Sequence, residues 1–435
     1  KAGLVVGDLL LEVNGESIKG YEVSKVSSML KGTPGTTLHL KVRKLLTGQE
    51  EELTFKRERI VVSGIPYWSV IDDSIGYIVH KDFSEDCSND IRNAVMSMKK
   101  AGIKGLIIDL RGNGGGILQE AVKILSMFVP KGTEVVSMRG RMKELDATFV
   151  TQSEPIDTQI PVAVLINSSS ASAAEIVAGA FQDLDRGVLL GQRSFGKGLV
   201  QSTRPVGYNA YLKLTTAKYY TPSGRCIQAI DYSHRAEDGS VGTVPDSLIK
   251  EYTTKAGRKV YDGGGVMPDI TTDPEYISRF AMTLYALGFI EDFGDEYMRR
   301  NPAREIDVRT FSITDKDYAD FAEFMKDKKV PYESDTRRAL KALKKAAEDD
   351  RFADLKNKFE QVEAELKDDT QTNLETYRKQ VVEAINNDIV MRYGYQAGVI
   401  EHSLPGDKEV KAAIGVLDNP AEYARITREQ DTKRK

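Results

Sequence analysis

Three apolar runs of strand length set the terms on which this chain folds. Leu106-Ile-Ile-Asp-Leu110, Val162 to Ile166 and Val188-Leu-Leu190 are each followed by glycines or small residues, and after the first two the apolar period becomes helical. Runs that stay apolar instead of alternating are buried on both faces, as in a parallel sheet covered by helices. The helical stretches are Ile117 to Phe128 and Ala173 to Phe181, the second with Ile176, Val177, Ala180 and Phe181 on one face. A further strand, Ile75 to Val79, precedes an amphipathic helix from Cys87 to Ala101 that carries Ile91, Ala94, Val95 and Met98. From roughly 60 to 270 the texture is therefore that of a layered α/β core.

The flanks read differently. Before the core, Leu38, Leu40 and Val42 alternate with His39, Lys41 and Arg43, the period of a half-buried strand, and Val13-Asn-Gly15 marks a tight turn. A helix is expected over Val23 to Leu30, ended by Gly32. The segment from Arg225 to Gly265 is polar without a clear period and reads as a surface insertion. Asp273-Pro274 reads as a helix start, aspartate as cap and proline in the first turn, with Ile277, Phe280, Leu284 and Leu287 on one face. A break is expected over 301–312. From Thr314 the chain is charged and helical: Leu355, Phe359, Val362 and Leu366 form one apolar stripe, Val381, Ile385 and Ile389 another, and 428–435 read as a frayed charged end. The implied domains are 1–58, 59–272 with an insertion near 226–264, and a helical 273–435.

The chemistry concentrates between Asn167 and Gln201. Ser172 stands at a strand-to-helix junction, where backbone N–H groups are free and the helix dipole favours negative charge. Ser172-Ala-Ala-Glu175 also matches a capping box, so the same serine has a purely structural reading. The four histidines, His39, His80, His234 and His402, lie more than twenty residues from Ser172. Lys197, between Gly196 and Gly198, is the better candidate base, and the same three residues equally fit a plain turn with an exposed lysine. To accept a proton it must be neutral, so its ordinary pKa of about 10.4 has to fall by roughly two to three, each step costing about 1.4 kcal/mol, and burial is what supplies this. Gln201 follows four residues later, about 13 Å away along an extended strand, so contact with Lys197 requires a bend at Gly198. Gly114, Gly115 and Gly116 allow close backbone approach and, with the N–H of Ala173, are candidate oxyanion donors. The same glycines also fit a tight turn, but not a full phosphate-binding motif.

Composition excludes several classes. A formal charge of −4 gives no reason to expect a nucleic-acid surface, and no apolar run reaches membrane-spanning length. Cys87 and Cys226 are too few and too far apart for a disulfide framework or a zinc site.

Four motifs in order, D-L-R-G-N-G-G-G at 109–116, S-A-S-A-A-E-I at 170–176, R-G-V-L-L-G-Q-R-S-F-G-K-G-L-V-Q at 186–201 and T-T-A-K-Y-Y-T-P-S-G-R at 215–225, resemble the carboxyl-terminal processing proteases of peptidase family S41. The A-G-L-x-x-G-D pattern near Ala2 resembles the second part of a PDZ domain, whose carboxylate-binding loop is then expected ahead of Lys1. The resemblance implies a ClpP/crotonase-like layered α/β core, a partial PDZ (α+β) and a C-terminal helical region. It implies Ser172 as nucleophile, Lys197 as general base, Gln201 as the residue that positions it, and backbone N–H groups of Gly115 or Gly116 and of Ala173 as the oxyanion hole. It further implies protein substrates with unstructured apolar C-termini, no metal or cofactor, a possible homo-oligomer or adaptor partner through the C-terminal helices, and a cell-envelope location outside the cytoplasm. Two other readings are a noncatalytic ligand- or peptide-binding protein on the same fold, and a peptide-binding scaffold that rests until a tail docks.

Overall fold

The computed structural model of the chain describes residues 3–60, 62–235, 240–302, 305–366 and 369–428. Contacts divide the chain into two units, 62–274 with 406–435, and 1–61 with 275–405.

The first of these is built on a six-stranded sheet whose order follows the sequence. Its strands are β1 (Tyr67–Ile71), β2 (Ile75–Val79), β3 (Gly105–Asp109), β4 (Val162–Ile166), β5 (Val188–Gly191) and β6 (Ile270–Thr271). β1 and β2 pair antiparallel, and β2 to β6 run parallel. Because side chains alternate along a strand, each run serves two faces. Ile108, Leu110, Val164, Ile166 and Leu189 join one core with helices α1 (Cys87–Lys100), α2 (Leu118–Leu125) and α3 (Ala173–Asp183). On the alternate positions Ile107, Ala163, Leu165 and Leu190 are also fully buried, and helix α4 (Lys408–Leu417) packs across β3, β4 and β5. This is why the runs are apolar throughout. The final helix, α5 (Pro420–Thr427), is fastened by the Tyr423 hydroxyl, which accepts from Val162 N–H at 3.1 Å and donates to the Arg186 carbonyl at 3.2 Å.

Residues from Gly406 onward therefore group with the α/β unit, whereas 273–435 reads in sequence as one helical stretch. The Arg225 to Gly265 segment also differs from a surface insertion. It forms two small antiparallel pairs, Ile230–Arg235 with Val241–Thr243 and Glu251–Thr253 with Lys259–Tyr261, but Ile227 and Gln228 are buried. Residues 236–239, within that segment, and most of the expected frayed end, 429–435, lie outside the described residues.

In the other unit, Leu9–Val13, Glu16–Ser17, Thr37–Arg43 and Glu50–Lys56 form a four-stranded antiparallel sheet, with the helix Val23–Leu30. Val13, Leu38, Leu40 and Val42 form its core, as the alternation predicts. The other helices of this unit, among the described residues, run from Arg279 to Ser403, and Val381, Ile385 and Ile389 are fully buried in their core. The expected helix start at Asp273-Pro274 is displaced: the helix is Arg279–Ala286, and Ser278 caps it by accepting from Ala281 N–H at 3.2 Å. A serine that reaches the third N–H of the turn outcompetes a proline signal four residues earlier. Of the predicted apolar face, Phe280 and Leu284 are buried while Ile277 and Leu287 are exposed. The stripe Leu355, Phe359, Val362, Leu366 is not a buried one, since Lys356–Glu365 contains no buried residue.

Candidate active site

The turns that leave β3, β4 and β5 at their carboxyl ends lie together, the place where open parallel sheets present their ligand sites. The first turn, 110–117, holds the glycines; the second, 167–172, holds Ser172; the third, 192–198, holds Lys197. Hydrogen bonds stitch them edge to edge. Asn167 Oδ1 accepts from Gly112 N–H at 3.0 Å, Ala171 N–H donates to the Asn113 carbonyl at 2.9 Å, and Phe195 N–H donates to the Ser170 carbonyl at 2.9 Å.

Ser172 is held in an unusual conformation, φ 57° and ψ −115°, in a region that residues with a side chain rarely occupy. Strain of this kind survives only where the surroundings impose it, and it clusters at functional sites. The glycine turn explains part of the imposition. A Cβ on Gly115 would lie 2.7 Å from Ser172 Cβ, 2.7 Å from the Ala171 carbonyl oxygen and 2.9 Å from the Ala173 nitrogen. Gly115, at φ +96°, thus brings bare backbone against the serine and against the first N–H of α3. Gly116, at φ +146°, meets the Phe83 backbone instead, with a Cβ position 2.5 Å from its carbonyl oxygen. The Gly115 N–H itself donates to Asn113 Oδ1 at 2.8 Å.

Glu175 does more than a capping residue. Its Oε2 accepts from Ser172 N–H at 2.9 Å and from Lys197 N–H at 2.8 Å, while Oε1 accepts from Gly196 N–H at 2.7 Å and from the Ser194 hydroxyl at 2.5 Å. One buried carboxylate therefore joins the serine turn to the lysine loop. Burial pushes its pKa above the ordinary carboxylate value, against the pull of these four donors. Ser194 extends the junction by accepting from Val266 N–H at 2.7 Å. Glutamine at position 175 keeps the shape but turns one acceptor into a donor, so two N–H or O–H groups lose their partner, at about 1–3 kcal/mol each. Glu175→Gln is expected to lower the urea midpoint and to slow any reaction that needs Ser172 and Lys197 together, measured on the same preparation.

The glycines beside Lys197 have a packing reason. A Cβ on Gly196 would sit 2.2 Å from Ala229 Cβ, and one on Gly198 would sit 2.7 Å from the Gln228 nitrogen. Gln228 Oε1 accepts from Gly198 N–H at 2.8 Å, and Ala229 N–H donates to the Gly196 carbonyl at 3.0 Å. The start of the insertion is thus the cradle of the lysine loop. With the loop's glycines turned to that cradle, Lys197 is exposed, not buried as the base role requires. Gln201 is exposed too, on the strand Leu199–Gly207, with a register shift between Val200 and Gln201. The structure brings together Ser172, Ala173, Gly115 and the backbone of Lys197; it leaves the side chains of Lys197 and Gln201 in solvent.

Among the described side chains no histidine takes the base's place. His80 is buried, its Nε2 donates to the Asp82 carbonyl at 2.8 Å, and burial pulls its pKa down to about 4. His39 Nδ1 lies 2.9 Å from Thr54 Oγ1, and His402 Nδ1 2.8 Å from the Val308 carbonyl. Among the described residues no cluster of ligating side chains could hold a metal ion, and no helix is long and apolar enough to cross a membrane.

Three stretches of the chain match known families. Residues 74–246 match peptidase family S41, 280–417 match the C-terminal helical domain of probable PDZ-proteases, and 1–44 match the PDZ domain. A carboxy-terminal-processing protease of Bartonella bacilliformis is 35% identical over 255 residues, 58% of this chain and 56% of that protein. A probable CtpA-like serine protease of Staphylococcus aureus is 31% identical over 322 residues, 73% of this chain and 60% of that protein. This chain thus spans somewhat over half the length of these relatives. Among solved structures, the photosystem II D1 C-terminal processing protease is 24% identical with a TM-score of 0.38, over 64% of this chain and 66% of that one.

Proposed function

We propose that the chain, which matches peptidase family S41 over residues 74–246, is a serine endopeptidase that cleaves proteins presented by unstructured, apolar C-terminal tails. The observation that carries this reading is the single Glu175 carboxylate that holds the backbone of Ser172 and of Lys197 at 2.9 and 2.8 Å. In the reaction, Ser172 Oγ attacks the scissile carbonyl carbon while its proton passes to the neutral Lys197 amine. The tetrahedral oxyanion is met by the N–H groups of Ala173 and Gly116, with Gly115 giving the approach. The lysine returns the proton to the leaving amine, and water then hydrolyses the acyl-enzyme with Lys197 again as base. Gln201 orients the lysine without adding charge.

The exposed Lys197 fits a resting arrangement. A peptide lying over the lysine loop removes water from the amine and so supplies the desolvation that favours its neutral form. The tail itself is read as binding the PDZ-like region, where Leu9, Leu10, Leu11, Val23, Val26 and Leu30 line a groove of about 780 Å³ between strand and helix. The ClpP/crotonase-like layering, a cell-envelope location, and assembly or adaptor binding through the C-terminal helices belong to the same proposal. The test is cleavage of a folded reporter with an apolar unstructured tail, followed by mass spectrometry. Wild-type protein is expected to cut it, and Lys197→Ala to lose cleavage by about 10³-fold or more while remaining folded; persistent cleavage by the variant would sink the assignment.

A further inference from the structure

The glycine turn is held from outside the active site by the start of α4. Arg111, at the head of the turn, donates through Nη2 to Asp109 Oδ2 at 2.6 Å and to Asp407 Oδ2 at 2.8 Å, and through Nη1 to Glu409 Oε2 at 2.7 Å. Asp407 also caps α4, its Oδ1 accepting from the N–H groups of Glu409 and Val410 at 2.9 and 3.0 Å. The other oxygen of Glu409 accepts from the Thr272 hydroxyl at 2.6 Å and from the Gln192 side-chain amide. Gln192 heads the lysine loop, so the first turn of α4 is bonded to the heads of both turns that flank Ser172.

A need for stability alone does not explain this pattern. α4 already covers the apolar face of β3, β4 and β5, and α5 is already fastened through Tyr423. The clamp adds three carboxylates around one largely buried guanidinium, whose planar fork fixes direction as well as distance. Gly115 lies four residues beyond Arg111, and Ser194 two beyond Gln192. A small rotation of either turn head therefore alters the approach of Gly115 to Ser172, or of the lysine loop to Glu175.

We propose that Asp407 and Glu409 are positioning residues for the peptidase site, acting through Arg111 and Gln192 to set the glycine turn and the lysine loop. This rests on the function proposed above. The experiment compares wild type, the double variant Asp407→Asn/Glu409→Gln and Tyr423→Phe. Asparagine still caps a helix and glutamine still accepts a hydrogen bond, so the double variant removes the two negative charges that the start of α4 brings to Arg111, keeps Asp109, and leaves the helix start in place. Displacement of catalytic geometry by even an ångström costs up to about a hundredfold, and the double variant is expected to lose about tenfold or more in kcat with KM within about twofold. Tyr423→Phe should keep kcat while lowering the melting temperature. Hydrogen–deuterium exchange supplies a readout independent of turnover: uptake over 110–117 and 192–198 should rise in the double variant and not in Tyr423→Phe. Unchanged kcat and unchanged exchange in the double variant, or equal losses of kcat in both variants, would overturn the clamp. An inactive wild type would sink the peptidase reading instead, and the exchange comparison would still decide whether the clamp sets the two turns.

Discussion

Ser172→Gly is expected to abolish cleavage and at the same time to make the protein more stable. The serine is held at φ 57° and ψ −115°, where a side chain costs about 1–3 kcal/mol and glycine very little. Glu175 accepting from the Ser172 N–H, and the Asn113 carbonyl accepting from Ala171 N–H, keep the turn in place whichever residue stands there. Removing the side chain should therefore release strain without moving the turn. Part of that gain is offset because glycine also loses more freedom on folding. A chemical-denaturation series is expected to show a midpoint raised by the equivalent of about 1 kcal/mol, alongside a loss of activity of about 10⁴-fold or more. A serine that only capped the helix would give the opposite sign: its loss would lower stability.

Gly115→Ala is expected to be nearly as damaging to activity, by another route. Its φ of +96° disfavours any side chain, and the three atoms nearest the new methyl belong to Ala171, Ser172 and Ala173. Two are backbone and the third is Ser172 Cβ, so relief requires shifting the serine turn itself. The methyl would also stand 2.9 Å from the Ala173 nitrogen, across the approach to a proposed oxyanion donor. Loss of one such donor elsewhere costs about 10²–10³-fold in kcat, and a loss of at least that size is expected here. Gly114→Ala is the control, because no atom lies within 4 Å of its Cβ position and its φ is not in the left-handed region. It should retain most of the activity.

How much of this was legible in the sequence depends on how far apart the interacting residues lie. The strands and α1 to α3 follow from local period, since a run such as Val162 to Ile166 is buried on both faces wherever the sheet forms. Ser172 and the glycine turn follow from motif and from the chemistry that a helix N-terminus offers. Glu175 was visible only as a helix cap, because three of its four donors lie on a loop about twenty residues later. The cradle of Gln228 and Ala229 around Gly196 and Gly198 has no local signature, and with it Lys197 is exposed, as in the turn reading of its flanking glycines and not the buried-base one. The clamp joins residues nearly three hundred positions apart, and a charged helix start such as Asp407 to Glu409 reads as solvated until its partner is known.

Ser172 is proposed as a nucleophile activated by Lys197. The most direct measurement of this is the rate at which a serine-reactive fluorophosphonate labels the protein, with the site mapped by mass spectrometry. One labelled residue is expected, Ser172, at a rate that rises when an apolar-tailed peptide is bound and collapses in Lys197→Ala. Absence of labelling at Ser172, or labelling that Lys197→Ala leaves unchanged, would contradict it.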